Sequence, residues 1–209
     1  MIKLEHINIV VFWGAVWGIV ETMIGHLIHL ISFDIGRHIW FPLAFYFLYK
    51  VYTQTKRKEA VLYVAFIVSG IKLMNLFMET SLDRALNPIA TIISEALAMI
   101  VICKILEKAE NDFNLFGILA VNCIWRIIYT TYLLLMPVSY IFSSHLRDIG
   151  PSVKFFFIDN LASTLVAFIS LVIVKKLCEN KEEKNLNIPP TPIVSFSILV
   201  LAFIIKWFI

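Results

Sequence analysis

Glu21 stands near the middle of an apolar stretch, Trp13 to His29, that is nearly long enough to cross a bilayer as a helix. A carboxylate at that depth is costly unless it has a partner, a proton or a wet cavity. At the helical repeat, Gly14, Gly18, Glu21 and Gly25 fall within about 60° of one another, and His29 lies at the edge of that stripe. Residues this small let a neighbouring helix approach closely. The segment therefore belongs inside a helix bundle, with Glu21 aimed at something polar.

The rest of the chain supplies the bundle. Of 209 residues, 60% are hydrophobic, more than a soluble domain of this size needs. Apolar segments at about 8–31, 39–54, 60–78, 88–107, 114–136, 154–174 and 193–209 are each near the length of a membrane crossing. The expected fold is all-α, a polytopic transmembrane bundle. Residues 1–178 form a six-helix core, 179–192 a polar and proline-rich linker, and 193–209 a C-terminal span. The first segment has no cleavage site of small residues and reads as a retained span. Pro42 is expected in the first turn of the second helix. Asn87 and Pro88 read as the cap and first residue of the fourth, and Pro137 as the stop of the fifth.

Orientation follows from the basic residues. Lys50, Lys56, Arg57 and Lys58 fall between spans two and three, Lys104 and Lys108 between four and five, and Lys175, Lys176, Lys181 and Lys184 after six. The intervening loops are poorer in lysine and arginine. Alternation of this kind puts the N-terminus and the basic loops in the cytoplasm and the C-terminus outside the cell membrane.

With orientation set, the intramembrane polar residues cluster at mid-depth or in the outer half. Glu21 and His26 lie on the first span, Lys72, Asn75 and Glu79 on the third, Glu95 on the fourth, Arg126 on the fifth and Asp159 on the sixth. The inner halves are nearly all aliphatic and aromatic. These eight residues are the candidate lining of an outward-facing polar cavity that takes a small molecule. Pairs such as Glu95 with Arg126, or Glu79 with Lys72, are the purely structural use of the same groups. Four carboxylates against Lys72 and Arg126 leave an excess of negative charge, which favours a ligand with a positive group. Trp13, Trp17, Trp40 and Trp125 offer stacking surface.

Other chemistries have less support. The net charge of +3 gives no basis for nucleic-acid binding. No dinucleotide, P-loop, paired-cysteine or zinc-protease motif is present, and no serine sits in a nucleophile elbow, so no catalytic residues are assigned. Cys103, Cys123 and Cys178 have no metal-ligand spacing, and His26 and His29 lack a second intramembrane histidine for a haem. No cofactor or metal is expected.

The size, the outward site and the small-residue first helix together resemble the substrate-binding S components of energy-coupling-factor (ECF) transporters. The resemblance covers the plan of residues 1–178. It implies capture of a vitamin-like molecule from outside, powered by a transmembrane coupling subunit and partner ATPases. It also implies docking of that subunit on the small-residue stripe of the first helix, here Gly14, Ala15 and Gly18. The residues themselves also admit a self-contained proton- or cation-coupled carrier, and a structural or assembly protein whose charges pair internally.

Overall fold

The computed structural model describes residues 4–31, 36–77, 82–109, 114–138, 140, 148–179 and 190–208. They are helical almost throughout, and no strand occurs among them. The helices are α1 (Leu4–Ile31), α2 (Gly36–Thr55), α3 (Lys58–Lys72) with a 3-10 turn (Leu73–Phe77), α4 (Leu82–Ala109) and α5 (Leu115–Leu135). The short α6 (Ile149–Val153) passes through a π-helical turn (Lys154–Ile158) into α7 (Asp159–Glu179), and α8 (Pro192–Phe208) closes the chain. Five stretches are long and apolar enough to cross a membrane: Leu4–Leu27, Lys58–Phe77, Ala85–Ile105, Leu115–Leu135 and Ile149–Lys176. The protein is an all-α integral membrane protein.

The helices α1, α3, α4, α5, α7 and α2 pack in a ring, with α2 also touching α3 and α4. α2 is long enough to cross but less apolar, since Arg37, His38, Lys50, Gln54 and three tyrosines interrupt it. Burial explains how it is accommodated. Phe41, Phe45, Leu48 and Val51 are almost wholly enclosed. The arrangement is apolar outside and polar inside. Phe116, Leu135, Phe157, Leu161 and Ile169 are exposed, while Glu21, Glu95, Asn122, Arg126, Asp159 and Ser163 are buried. That pattern suits lipid as the surrounding solvent.

α8 lies outside the ring, parallel to α1 and touching α3. The Ser195 hydroxyl donates to the Asn8 carbonyl at 3.0 Å. Two turns further on, Ala202 is buried in one cluster with Ala15 and Ile71. Pro192 opens this helix, where a missing N–H costs nothing, and the Thr191 carbonyl accepts from the Ser195 amide at 3.0 Å.

Two proline expectations are corrected. α4 begins at Leu82 and α2 at Gly36, so Pro88 and Pro42 lie inside their helices. Each removes the amide that the carbonyl four residues earlier would have bonded. Asn87 is not a cap. Its side chain donates to the Tyr140 carbonyl and accepts from the Tyr132 hydroxyl, both at 3.4 Å. Pro137 falls where expected. Met136 before it is extended, and its amide bonds the Leu133 carbonyl.

Candidate functional site

α1, α2, α3, α4 and α5 enclose a cavity of about 660 Å³, within the usual range for a small-molecule site. α1 contributes Trp17, Glu21 and Gly25, α2 contributes Trp40 and Ala44, and α3 with its 3-10 turn contributes Lys72 and Asn75. α4 supplies Asp83, Asn87, Pro88, Thr91, Ile92 and Glu95, and α5 supplies Tyr129. Asn75 and Asp83 mark the end of the bundle away from the basic α2–α3 connection, and Trp17 and Glu95 lie deepest from that end. The lining is open at Gly25, where an added Cβ would meet the Trp40 ring at an ordinary contact distance of 3.8 Å.

The salt bridge of this cavity joins adjacent helices. Lys72 Nζ lies 3.4 Å from Glu21 Oε1 and 6.0 Å from the centre of the Trp40 ring. Glu21 Oε2 is buried with no hydrogen bond. Glu95 is 3% exposed, and among the described residues it has neither a hydrogen bond nor an ion pair. The Thr91 hydroxyl beside it donates to its own helix, to the Asn87 carbonyl at 3.0 Å.

Behind Glu95 lies a second chamber of about 150 Å³, which shares Trp40, Thr91, Glu95 and Tyr129 with the main cavity and adds Phe41, Trp125, Arg126, Phe155 and Asp159. Arg126 is tied down rather than paired. Its Nε donates to Asn122 Oδ1 at 3.1 Å, Nη1 to the Phe155 carbonyl at 2.6 Å and Nη2 to Ser163 Oγ at 3.3 Å. Its guanidinium also stacks 4.3 Å from the Phe155 ring centre. The π-helical turn makes this possible. The Asp159 amide bonds the Lys154 carbonyl, five residues back, and leaves the Phe155 carbonyl to Arg126. Asn122 completes the tie between α5 and α7, donating to the Asn160 carbonyl, Ser163 and Thr164 at 2.8–2.9 Å.

The opposite wall carries Asp159, 1% exposed. Both of its carboxylate oxygens lack a hydrogen bond, and Oδ1 lies 3.8 Å from His38 Nε2.

The structure thus brings Glu21, Lys72, Asn75 and Glu95 around one cavity and places Arg126 and Asp159 in the adjoining chamber. His26 is exposed on α1 and lines neither space. Glu79 and the His29 side chain lie outside the described residues. Arg126 forms no ion pair with Glu95, and Lys72 pairs with Glu21. Gly14 and Gly18 are used inside the chain. A Cβ at Gly14 would fall 2.9 Å from Ile67 Cγ2, and one at Gly18 would clash with Ile71 Cδ1, both on α3. Ala15 is covered in the cluster with Ala202 of α8.

Sequence reasoning passed over His38 and Asp83. His38 lies one helical turn before Pro42, so a histidine at a helix end beside a proline was the available signal. The chain matches no protein-family model, no curated protein and no solved structure.

Proposed function

We propose that this membrane protein binds a small, cation-bearing organic molecule in the main cavity, as a capture subunit for uptake. The observation that carries the reading is Glu95, a buried carboxylate with no hydrogen bond or ion pair among the described residues, at the deep end of a cavity walled by Trp17, Trp40 and Tyr129. A ligand ammonium would give Glu95 its counter-charge, and the aromatic faces would hold the cation and its apolar body. The Glu21–Lys72 pair is internally neutral and orients polar groups on the other wall. The likeness to ECF S components supports an outward-facing site powered by partner subunits. Because Gly14, Ala15 and Gly18 are already covered, a coupling subunit in that arrangement meets α1 or other helices over different faces.

The test is equilibrium binding to the purified protein with benzylamine, tryptamine and choline, against benzoate and indole-3-acetate as anionic controls. The amines are expected to bind, and Glu95→Gln is expected to weaken them about tenfold or more, the loss of one charge-assisted contact. Preference for the anions, or a Glu95→Gln protein that binds amines normally, would refute the reading. A tagged N-terminus and gentle purification then test for ATPases and a coupling subunit. A carrier acting alone is favoured by the chamber behind Glu95, and amine transport into liposomes without ATP would select it.

A further inference from the structure

We propose that the molecule taken by the main cavity is a linear one with two cationic nitrogens, one seated at Glu95 and the other at Asp83, where α4 also presents the backbone carbonyl of Arg84. The inference rests on the reading of Glu95 as a cation site. It adds the second charge, the length of the ligand and the direction in which it lies.

The axis comes from α4. Asp83, Asn87, Thr91 and Glu95 recur at every fourth residue of this helix, and all four line the cavity. Each step of four advances about 6 Å along a helix and drifts about 40° around it. The stripe therefore descends from the mouth of the cavity to its deep end as a shallow spiral. Both terminal carboxylates belong to one helix, so its geometry fixes their spacing, about 18 Å between Cα positions along the axis. A wall with acid at its two ends suits a rod better than a disc.

The middle of the cavity suits an alkyl chain. The Asn87 side chain is engaged with the Tyr140 carbonyl and the Tyr132 hydroxyl, and the Thr91 hydroxyl donates to the Asn87 carbonyl. Trp17, Trp40, Ala44 and Ile92 supply apolar lining. Lys72 and Glu21 meet at 3.4 Å and cancel each other. The other two carboxylates of the lining, Glu95 and Asp83, stand at opposite ends.

Each end has an observation of its own. At the deep end, Glu95 is 3% exposed and has neither a hydrogen bond nor an ion pair among the described residues. At the mouth, Pro88 lies inside α4 and lines the cavity. Its ring nitrogen carries no hydrogen for the Arg84 carbonyl, which in a helix points toward the residue four further on. That acceptor is thereby left on the cavity side of α4. An ammonium brings three N–H donors, more than one carboxylate oxygen can satisfy, and Asp83 with this carbonyl offers it two kinds of acceptor. A neutral or anionic group would use neither.

The experiment is equilibrium binding to the full protein in nanodiscs, with empty nanodiscs as the blank. Linear diamines of four, eight and ten carbons are each compared with the monoamine of the same length. The readout is the ratio of the two affinities. The longer diamines are expected to bind about tenfold or more tighter than their monoamines, the gain of one further charge-assisted contact. The four-carbon diamine is too short to reach both ends and should gain little. Asp83→Asn should bring the ratio for the longer diamines close to one. Pro88→Ala, which returns an amide to the Arg84 carbonyl and favours the helix, should lower it. Monoamines that bind with diamines no tighter would overturn this inference and leave the cation site at Glu95 standing. A gain that is equal at all three lengths, or that survives Asp83→Asn, would overturn the two-ended arrangement. An unchanged ratio in Pro88→Ala would remove the carbonyl from it. Failure of every amine to bind would refute the cation site itself, and this inference with it.

Discussion

Lys72 of α3 reaches Glu21 of α1 with 3.4 Å between Nζ and Oε1, and both side chains are nearly nine-tenths buried. The carboxylate in the middle of the first helix is therefore matched by the helix packed beside it. Removing one member strands the other in a low-dielectric interior. Lys72→Met is expected to destabilise the protein by about 3–5 kcal/mol. The double variant Glu21→Gln/Lys72→Met should recover most of that loss. Thermal unfolding of the detergent-solubilised variants in a double-mutant cycle measures it, and additive losses would show that the two groups do not interact.

The tie between α5 and α7 depends on one amide. Asn122 Oδ1 accepts from Arg126 Nε at 3.1 Å and from Trp125 Nε1 at 2.7 Å. Asn122→Ala leaves both buried donors without that acceptor, and a loss of about 1–3 kcal/mol or more is expected. Ser163→Ala removes the 3.3 Å contact to Arg126 and one of the three acceptors of the Asn122 amide, and should cost less because both donors keep other partners. Unfolding midpoints of the two variants decide the order.

The α1–α3 contact is close because Gly14 has no side chain. A Cβ there meets Ile67 Cγ2 at 2.9 Å and Ile67 Cβ at 3.0 Å. The Ile67 Cβ is fixed to the backbone, so rotation of its side chain cannot make room. Gly14→Ala should destabilise by about 1–3 kcal/mol through overpacking. Gly70→Ala on α3 meets nothing within 4 Å and should be neutral, or stabilising by about 0.5–1 kcal/mol from the better helix former. Equal effects at the two positions would contradict the packing.

α8 is held to α1 by Ala202 and by the Ser195–Asn8 hydrogen bond at 3.0 Å. In a background with the native cysteines replaced by serine, Asn8→Cys/Ser195→Cys should cross-link in membranes on mild oxidation. Ala202→Leu, which overfills the cluster with Ala15 and Ile71, should reduce that yield. Efficient cross-linking despite Ala202→Leu would mean that α8 is held elsewhere.

Helix positions were legible because hydropathy is local and additive. Each apolar segment reports its own fate, and the mid-membrane depth of Glu21, Lys72, Glu95, Arg126 and Asp159 could be counted along the chain. The convergence of Glu21, Lys72, Asn75 and Glu95 on one cavity was accessible from their shared faces and depths. The helix starts before Pro42 and Pro88 were less so, because a proline read as a first-turn residue can also lie further inside a helix, at the loss of one backbone hydrogen bond.

The sequence by itself determined that this chain is a helical membrane protein with an unusually polar interior, since so many apolar residues and so few charges leave no soluble alternative. The tertiary structure decided which charge meets which. Lys72 turned to Glu21, Arg126 to Asn122, Ser163 and the Phe155 carbonyl, and Glu95 was left without a hydrogen bond or ion pair among the described residues. The small residues of α1 met α3 and α8. Partner choice depends on which helices are neighbours, on their rotation about their axes and on a π-helical turn that frees one carbonyl. None of these is a property of a single segment.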